Sequence, residues 1–394
     1  MKIVALHTDF RIYWSARLKH LSESLRKRGD ELVVIEIAGK GSPYAFAGPS
    51  DILDIDWICL FPEGDMENIS SIDARKRVLA ELEKIKPDVV LAGSFAYPSG
   101  AAAINWSKNN NKSVVIFDDA KKEDVPRSYL VNLIKKVFYS NVDAILCPSS
   151  DWDDTFRYWR LKKDAVFYGV DVVDNAFWYE FQEEQLAIEL PKQFFLCVGR
   201  QIPCKNFQMV IRAYQNIACN TDYHLVFVGD GEERVLLERL VDDTFCSKVH
   251  FFSFQDQKTL RQIYHNASFL ILSSVSETWG LVVNEAMASG LPIIVSKQCG
   301  CASTLVKNSV NGFVFDANKQ SELESILVKV FSLSQNELQS MKKQSLDIIC
   351  NWDLDRFSCG AIDAIDYARR NKRKPFYFLL KFMLNRWTGR YNPV

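Results

Sequence analysis

Two hydrophobic patterns take turns along the chain. Short apolar runs at Ile3–Leu6, Leu32–Ile37, Ile58–Phe61, Val89–Ala92, Val114–Phe117 and Ala144–Cys147 read as strands. Between them apolar residues recur at helical spacing, as with Leu18, Leu21 and Leu25 in the helix predicted over Trp14–Arg28, which Gly29 stops. Further helices are predicted over Ile72–Lys86 and Gly100–Lys108, and a charged one before Ala144. Strands and helices alternating at these lengths predict an α/β fold with a parallel, doubly wound sheet.

The pattern lapses after Tyr168-Gly169-Val170-Asp171. Residues 172–190 are polar, acidic and aromatic without a period, and Pro191 precedes a restart at Phe194–Val198. Strands then follow at His224–Val228, Val249–Phe252, Phe269–Leu272 and Ile293–Val295, with a last one behind the Asn311-Gly312 turn. Amphipathic helices over Ser321–Leu333 and Asn336–Ile349 close this half, and Asn351-Trp352-Asp353 opens a final helix. The expected organisation is a first domain over 1–171, a linker over 172–190, a second domain over 191–350, a last helix over 351–371 and a tail over 372–394.

One stretch carries most of the candidate chemistry. Behind Phe269–Leu272, a Ser-rich turn leads through Glu277 and Gly280 into a helix that holds Glu285 and stops at Gly290 and Pro292. The amides around Gly280, Leu281 and Val282 form the start of that helix, where unpaired N–H groups and the positive dipole end suit a phosphate. Glu277 stands in the loop before the helix and Glu285 inside it, so carboxylates on either side can accept hydrogen bonds from hydroxyls. Phosphate flanked by hydroxyl-rich rings describes a nucleotide sugar.

Glu277-x7-Glu285, with Gly280 and the run Glu285-Ala-Met-Ala-Ser-Gly-Leu-Pro292, resembles the donor-site motif of the family 4 retaining glycosyltransferases. The resemblance implies the GT-B fold, two Rossmann-like doubly wound domains facing a central cleft, with the last helix crossing back to the first domain. Gly199-Arg200-x4-Lys205, at the end of a strand, is similar to the family's Gly-Arg-x4-Lys loop. Breaking a sugar–pyrophosphate bond moves negative charge onto the leaving phosphate, and fixed cations aimed at it lower the barrier. The resemblance therefore implies that Arg200 and Lys205 stabilise the pyrophosphate, Glu277 holds sugar hydroxyls and Glu285 holds the ribose. Gly199, Gly280, Leu281 and Val282 complete the donor site, and Phe254 sits where relatives read the base.

The resemblance covers about Phe195 to Asp316 and is only architectural before Tyr168. Relatives often carry Gly-Gly after the first strand and a His after the strand ending at Phe117; this chain has His7-Thr8-Asp9-Phe10-Arg11 and Asp118-Asp119 instead. Asp118 could orient a sugar hydroxyl or cap the next helix, and Arg11 could reach a phosphate. Gly300-Cys301-Ala302-Ser303 likewise replaces the second Gly and the acid of the family's Gly-Gly-x-x-Glu loop.

Composition narrows the picture. With 48% hydrophobic and 25% charged residues, the chain is globular rather than disordered. The formal charge of −1 hides a basic end: Ala368–Val394 carries eight Lys/Arg and no acid, so the preceding residues carry −9. Nucleic acid is not expected as a partner, because only the tail is basic. On a helical wheel Phe376, Leu379, Leu380, Met383, Leu384 and Trp387 share a face of that tail, too short to span a bilayer but suited, with its cations, to an anionic membrane surface. The ten cysteines form no CxxC pair and read as reduced thiols. Met1–Leu6 reads as a strand rather than a signal peptide. Asp54-Ile55-Asp56 and Asp151-Trp152-Asp153 match a metal-binding Asp-x-Asp pattern that arises easily in acidic chains, so no metal and no cofactor is expected.

The expected function is transfer of a sugar from a nucleotide-sugar donor to a glycan or lipid-linked glycan, in bacterial surface polysaccharide or glycoconjugate biosynthesis. The alternatives are a catalytically degenerate partner subunit and a nucleotide-sugar epimerase on the same fold. The expected location is cytoplasmic, at the inner face of the membrane where the tail binds lipid.

Overall fold

The computed structural model describes residues 1–10, 13–40, 54–124, 127–181, 188–218, 221–373, 382–383 and 386–389. Arg11 and most of the basic tail lie outside them. The chain divides into two units, Met1–Val172 with Leu354–Val394, and Val173–Asp353.

The first unit runs β1 (Lys2–His7), α1 (Tyr13–Arg26), β2 (Glu31–Lys40), β3 (Asp56–Asp65), α2 (Ser71–Ile85), β4 (Val89–Ala92), α3 (Pro98–Asn109), β5 (Ser113–Phe117), α4 (Tyr129–Tyr139), β6 (Ala144–Cys147), α5 (Asp153–Tyr158) and β7 (Val166–Tyr168). Among the described residues these strands form a seven-stranded sheet in the order β3-β2-β1-β4-β5-β6-β7, every pairing parallel. Strands β4, β5 and β6 are buried along their whole length, which is why they read as unbroken apolar runs. The order reverses between β1 and β4, where the loops beyond the strand ends diverge and open a crevice.

The second unit runs α6 (Asn175–Tyr179), β8 (Phe194–Val198), α7 (Phe207–Ile217), β9 (His224–Val228), α8 (Arg234–Arg239), β10 (Val249–Phe252), α9 (Gln257–Asn266), β11 (Phe269–Leu272), α10 (Leu281–Ala288), β12 (Ile293–Ser296), α11 (Ala302–Leu305), β13 (Gly312–Phe315), α12 (Gln320–Phe331) and α13 (Gln335–Ile349). Its parallel sheet has the order β10-β9-β8-β11-β12-β13, reversing between β8 and β11. Phe195, Phe207, Tyr214, Phe227, Phe269 and Leu327 are core residues of this unit.

Part of the stretch expected to be a linker is built into the second unit. Trp178 of α6 is 2% exposed, and its carbonyl accepts from Ser289 Oγ at 3.1 Å and from the His265 ring at 2.9 Å. Arg261 donates to the Phe177 carbonyl at 3.0 Å. The aromatics that gave this stretch no period are its anchors.

The chain re-enters the first unit as α14 (Leu354–Arg370), which buries Phe357, Ala361, Ala364, Ile365 and Ala368. Ser113 Oγ donates to the Ala368 carbonyl at 3.2 Å, and Arg28 pairs with Asp366 at 2.9 Å. A Cβ at Gly360 would stand 2.2 Å from the Tyr168 carbonyl oxygen, so the helix comes this close to β7 only with glycine there. No helix among the described residues is long and apolar enough to cross a membrane.

Candidate functional site

At the reversal point of the second sheet, the loops after β8 and β11 are stitched together. The Val275 amide donates to the Cys204 carbonyl at 2.9 Å, and Ser273 Oγ donates to the Lys205 carbonyl at 2.7 Å. This brings Lys205 Nζ onto Glu277 Oε2, which also accepts from Ser274 Oγ at 3.0 Å. The two side chains are only 14% and 20% exposed, so the pair is partly withdrawn from water and its field is less screened than at an open surface. Glu277 is held by its backbone as well, its carbonyl accepting from the Gly300 amide at 3.0 Å. Neighbouring Cys299 stays a thiol: burial pushes it up to about 12, with Glu277 acting in the same direction and a Ser296 hydrogen bond and Lys205 opposing.

Gly280 caps α10 at φ +103°, and a Cβ there would lie 2.8 Å from Leu272 Cδ2. Past this turn the amides of Leu281 and Val282 have no helical carbonyl four residues back, so they are donors at the positive end of the helix. Gly199, at φ +146°, leaves room for the Lys205 stem. Arg200 follows it, half-buried beyond the end of β8.

A second pair of loops supports the first. The Gln201 amide donates to the Asp230 carbonyl at 2.9 Å, and its side chain to the Gly229 carbonyl at 2.8 Å. The approach is close enough that a Cβ at Gly229 would meet the Gly199 carbonyl oxygen at 2.2 Å. Gln201 is fully buried, a role for which the sequence gave no signal beyond its place in the Gly-Arg loop. Ser273 and Ser274 were legible only as a Ser-rich turn.

The other expected donor residues are placed differently. Phe254, 45% exposed beyond β10, is fixed by its amide donating to Asp230 Oδ2 at 2.7 Å. Glu285 is 2% exposed, and its Oε2 accepts from the Tyr264 hydroxyl of α9 at 2.7 Å. Asp118 belongs to the first unit; it accepts from the Ala120 amide at 3.0 Å and from the Tyr139 hydroxyl. It does not cap α4, whose cap is Ser128.

At the reversal point of the first sheet His7 ends β1, its ring 5.2–6.0 Å from those of Phe10, Trp14, Tyr97 and Phe117. The Thr8 amide donates to Nδ1 at 2.7 Å, so the neutral ring carries its proton on Nε2. Burial lowers its pKa to about 4. Unfolded His titrates near 6.5, so the unfolded chain binds more protons between those values and the folded state loses stability as pH falls through the window. This contributes up to about 3 kcal/mol. Urea titrations at pH 7 and pH 4.5 should show it, and His7→Phe, which keeps the packing, should flatten the difference. An equal difference in that variant would place the acid sensitivity elsewhere.

With this geometry in view, comparison with known proteins is informative. Residues 179–346 match the model of the family described as glycosyl transferases group 1. The chain is 33% identical to an uncharacterized glycosyltransferase of Methanocaldococcus jannaschii over 34% of its own length and 35% of that protein's. It is 24% identical to the sulfoquinovosyl transferase SQD2 of Arabidopsis thaliana over 80% of its length and 62% of that protein's. The chain thus spans less than two thirds of each of these curated relatives. The crystal structure of Anabaena HepE in complex with UDP-glucose superposes with a TM-score of 0.69 at 17% identity, covering 93% of this chain and 99% of that one. At that identity the likeness shows the fold, which is GT-B.

Proposed function

We propose that this chain, whose residues 179–346 belong to the glycosyl transferases group 1 family, moves a sugar from a nucleotide-sugar donor to a glycan or lipid-linked glycan with retention at the anomeric carbon. The observation that carries the reading is the Lys205–Glu277 contact beside the amino end of α10. Glu277 holds sugar hydroxyls there, Lys205 and Arg200 meet the pyrophosphate, and the amides of Leu281 and Val282 receive its oxygens. Glu285 serves the ribose from its buried place on the same helix.

In the reaction the bond from the anomeric carbon to the phosphate oxygen breaks, and its electrons go to the phosphate. The acceptor oxygen attacks from the same side, and its proton passes to the leaving phosphate, so no protein base is required. Positive charge comes from Arg200 and Lys205, and the reading calls for no metal. A uridine nucleotide is the first donor to test, since HepE was crystallised with UDP-glucose. A role in bacterial surface polysaccharide or glycoconjugate synthesis, with the basic tail touching the membrane, belongs to the same proposal.

The test is a thermal-shift panel of UDP-, GDP-, ADP- and CMP-sugars on the wild type, Arg200→Ala and Glu277→Gln. A ligand at 100 times its dissociation constant stabilises by about 2.7 kcal/mol. One nucleotide class is expected to raise the wild-type melting temperature, and Arg200→Ala to erase the rise. If all four classes leave the wild type unmoved, the donor reading fails.

A further inference from the structure

Helix α4 wears its amphipathic pattern inside out. Tyr129, Leu130, Val131 and Leu133 are 84%, 64%, 43% and 42% exposed, while the same helix buries Phe138 and Tyr139. Its Lys135 lies inward, with Nζ 4.2 Å from the centre of the Trp159 ring. A helix on a globular surface ordinarily turns its polar side to water. Here Tyr129, Leu133 and Val137 succeed one another at intervals of four, with Leu130 beside them, and form an outward apolar stripe. Single exposed hydrophobics are ordinary, whereas a contiguous set of large ones marks a contact surface.

The charges around the stripe are of one sign. From Arg127 to Val142 there are three cations and no acid. Lys121 precedes them, its Nζ 4.1 Å over the Trp152 ring, and Lys136 lies 4.0 Å over Tyr158, itself 40% exposed. Glu123 on the adjoining loop is paired with Lys122 at 3.2 Å. A separate part of the chain meets the carboxyl end of the same helix. The Trp387 indole donates to the Phe95 carbonyl at 2.8 Å, and its ring lies 6.0 Å from that of Phe138. Nearby in sequence Phe382, 55% exposed, carries the Arg386 guanidinium 4.2 Å from its ring centre.

We propose that the outward face of α4 is a docking surface for an anionic lipid bilayer. Tyr129, Leu130, Val131 and Leu133 enter the zone between headgroups and acyl chains, and Lys121, Arg127 and Lys136 meet the lipid phosphates. An apolar stripe bordered by cations and without an acid is what a negatively charged membrane surface complements. The tail, anchored by Trp387 at the end of this helix, adds cations to the same region.

The test is co-sedimentation of the full chain with phosphatidylcholine vesicles that contain or lack phosphatidylglycerol, for the wild type, Leu130→Glu/Leu133→Glu and Phe382→Glu/Arg386→Glu. Because Leu130 and Leu133 are exposed, the first variant should melt like the wild type. The wild type is expected to bind only the anionic vesicles, less so at high salt, and Leu130→Glu/Leu133→Glu to bind at least roughly tenfold more weakly. Loss confined to Phe382→Glu/Arg386→Glu would assign binding to the tail and overturn the role of α4. Wild-type binding equal on both vesicles, or none, would overturn it too. So would a wild-type dimer in sedimentation velocity that Leu130→Glu/Leu133→Glu turns to monomer while vesicle binding persists. None of these outcomes depends on sugar transfer.

Discussion

Lys205→Ala is expected to slow sugar transfer by about 10²–10³-fold, the range seen when one preorganised group facing developing charge is removed. The loss should fall on kcat more than on KM, because the phosphate gains its charge as the bond breaks. Stability should change little: Glu277 would keep Ser274 Oγ at 3.0 Å and, at 20% exposure, has access to water. Since Lys205 and Glu277 touch, Glu277→Gln in the same chain should add much less than it does alone. Steady-state release of nucleotide checks both points, and turnover close to the wild type's would remove Lys205 from the reaction.

Gly229→Ala is expected to destabilise the second unit by about 2–5 kcal/mol, from left-handed strain and overpacking together. The position has φ +134°, and the added Cβ would lie 2.2 Å from a backbone oxygen, that of Gly199, which cannot swing aside as a side chain does. In a unit of this size that corresponds to a melting decrease of roughly 5–15 °C. Nucleotide binding should weaken as well, because the Gly199–Arg200 loop is what gives way. Gly29→Ala is the control: at φ +73° with nothing within 4 Å, it carries backbone strain alone, about 1–2 kcal/mol. Equal melting losses in the two variants would show that the loops relax at little cost.

Sequence legibility followed the physics of each element. Both sheets were readable because strands buried on two faces are unbroken apolar runs, as at Val114–Phe117 and Ile293–Ser296. Strand β7, Val166–Tyr168, was missed because three residues make no pattern. The approach of Lys205 to Glu277 was suggested by motif, but the serines that tie their loops together were not, since a hydroxyl's partner is set by tertiary contact. Glu285 shows the limit from the other side: its spacing was visible, and its burial against Tyr264 was not, because that depends on how α9 lies along α10. Helix α4 reads as a charged helix in sequence; only packing shows that its apolar residues face out and Lys135 faces in.

The return of α14 has a consequence for synthesis. Strands β5 to β7 leave the ribosome long before Phe357, Ala361 and Ile365, the residues that cover them. About 180 residues intervene, and at about 5–20 residues per second the nascent first unit waits roughly 10–40 s with apolar surface uncovered. The second unit, continuous from Val173 to Asp353, can close in that interval. The half that begins the chain is therefore the last to be finished, and it is the half for which a chaperone has something to hold.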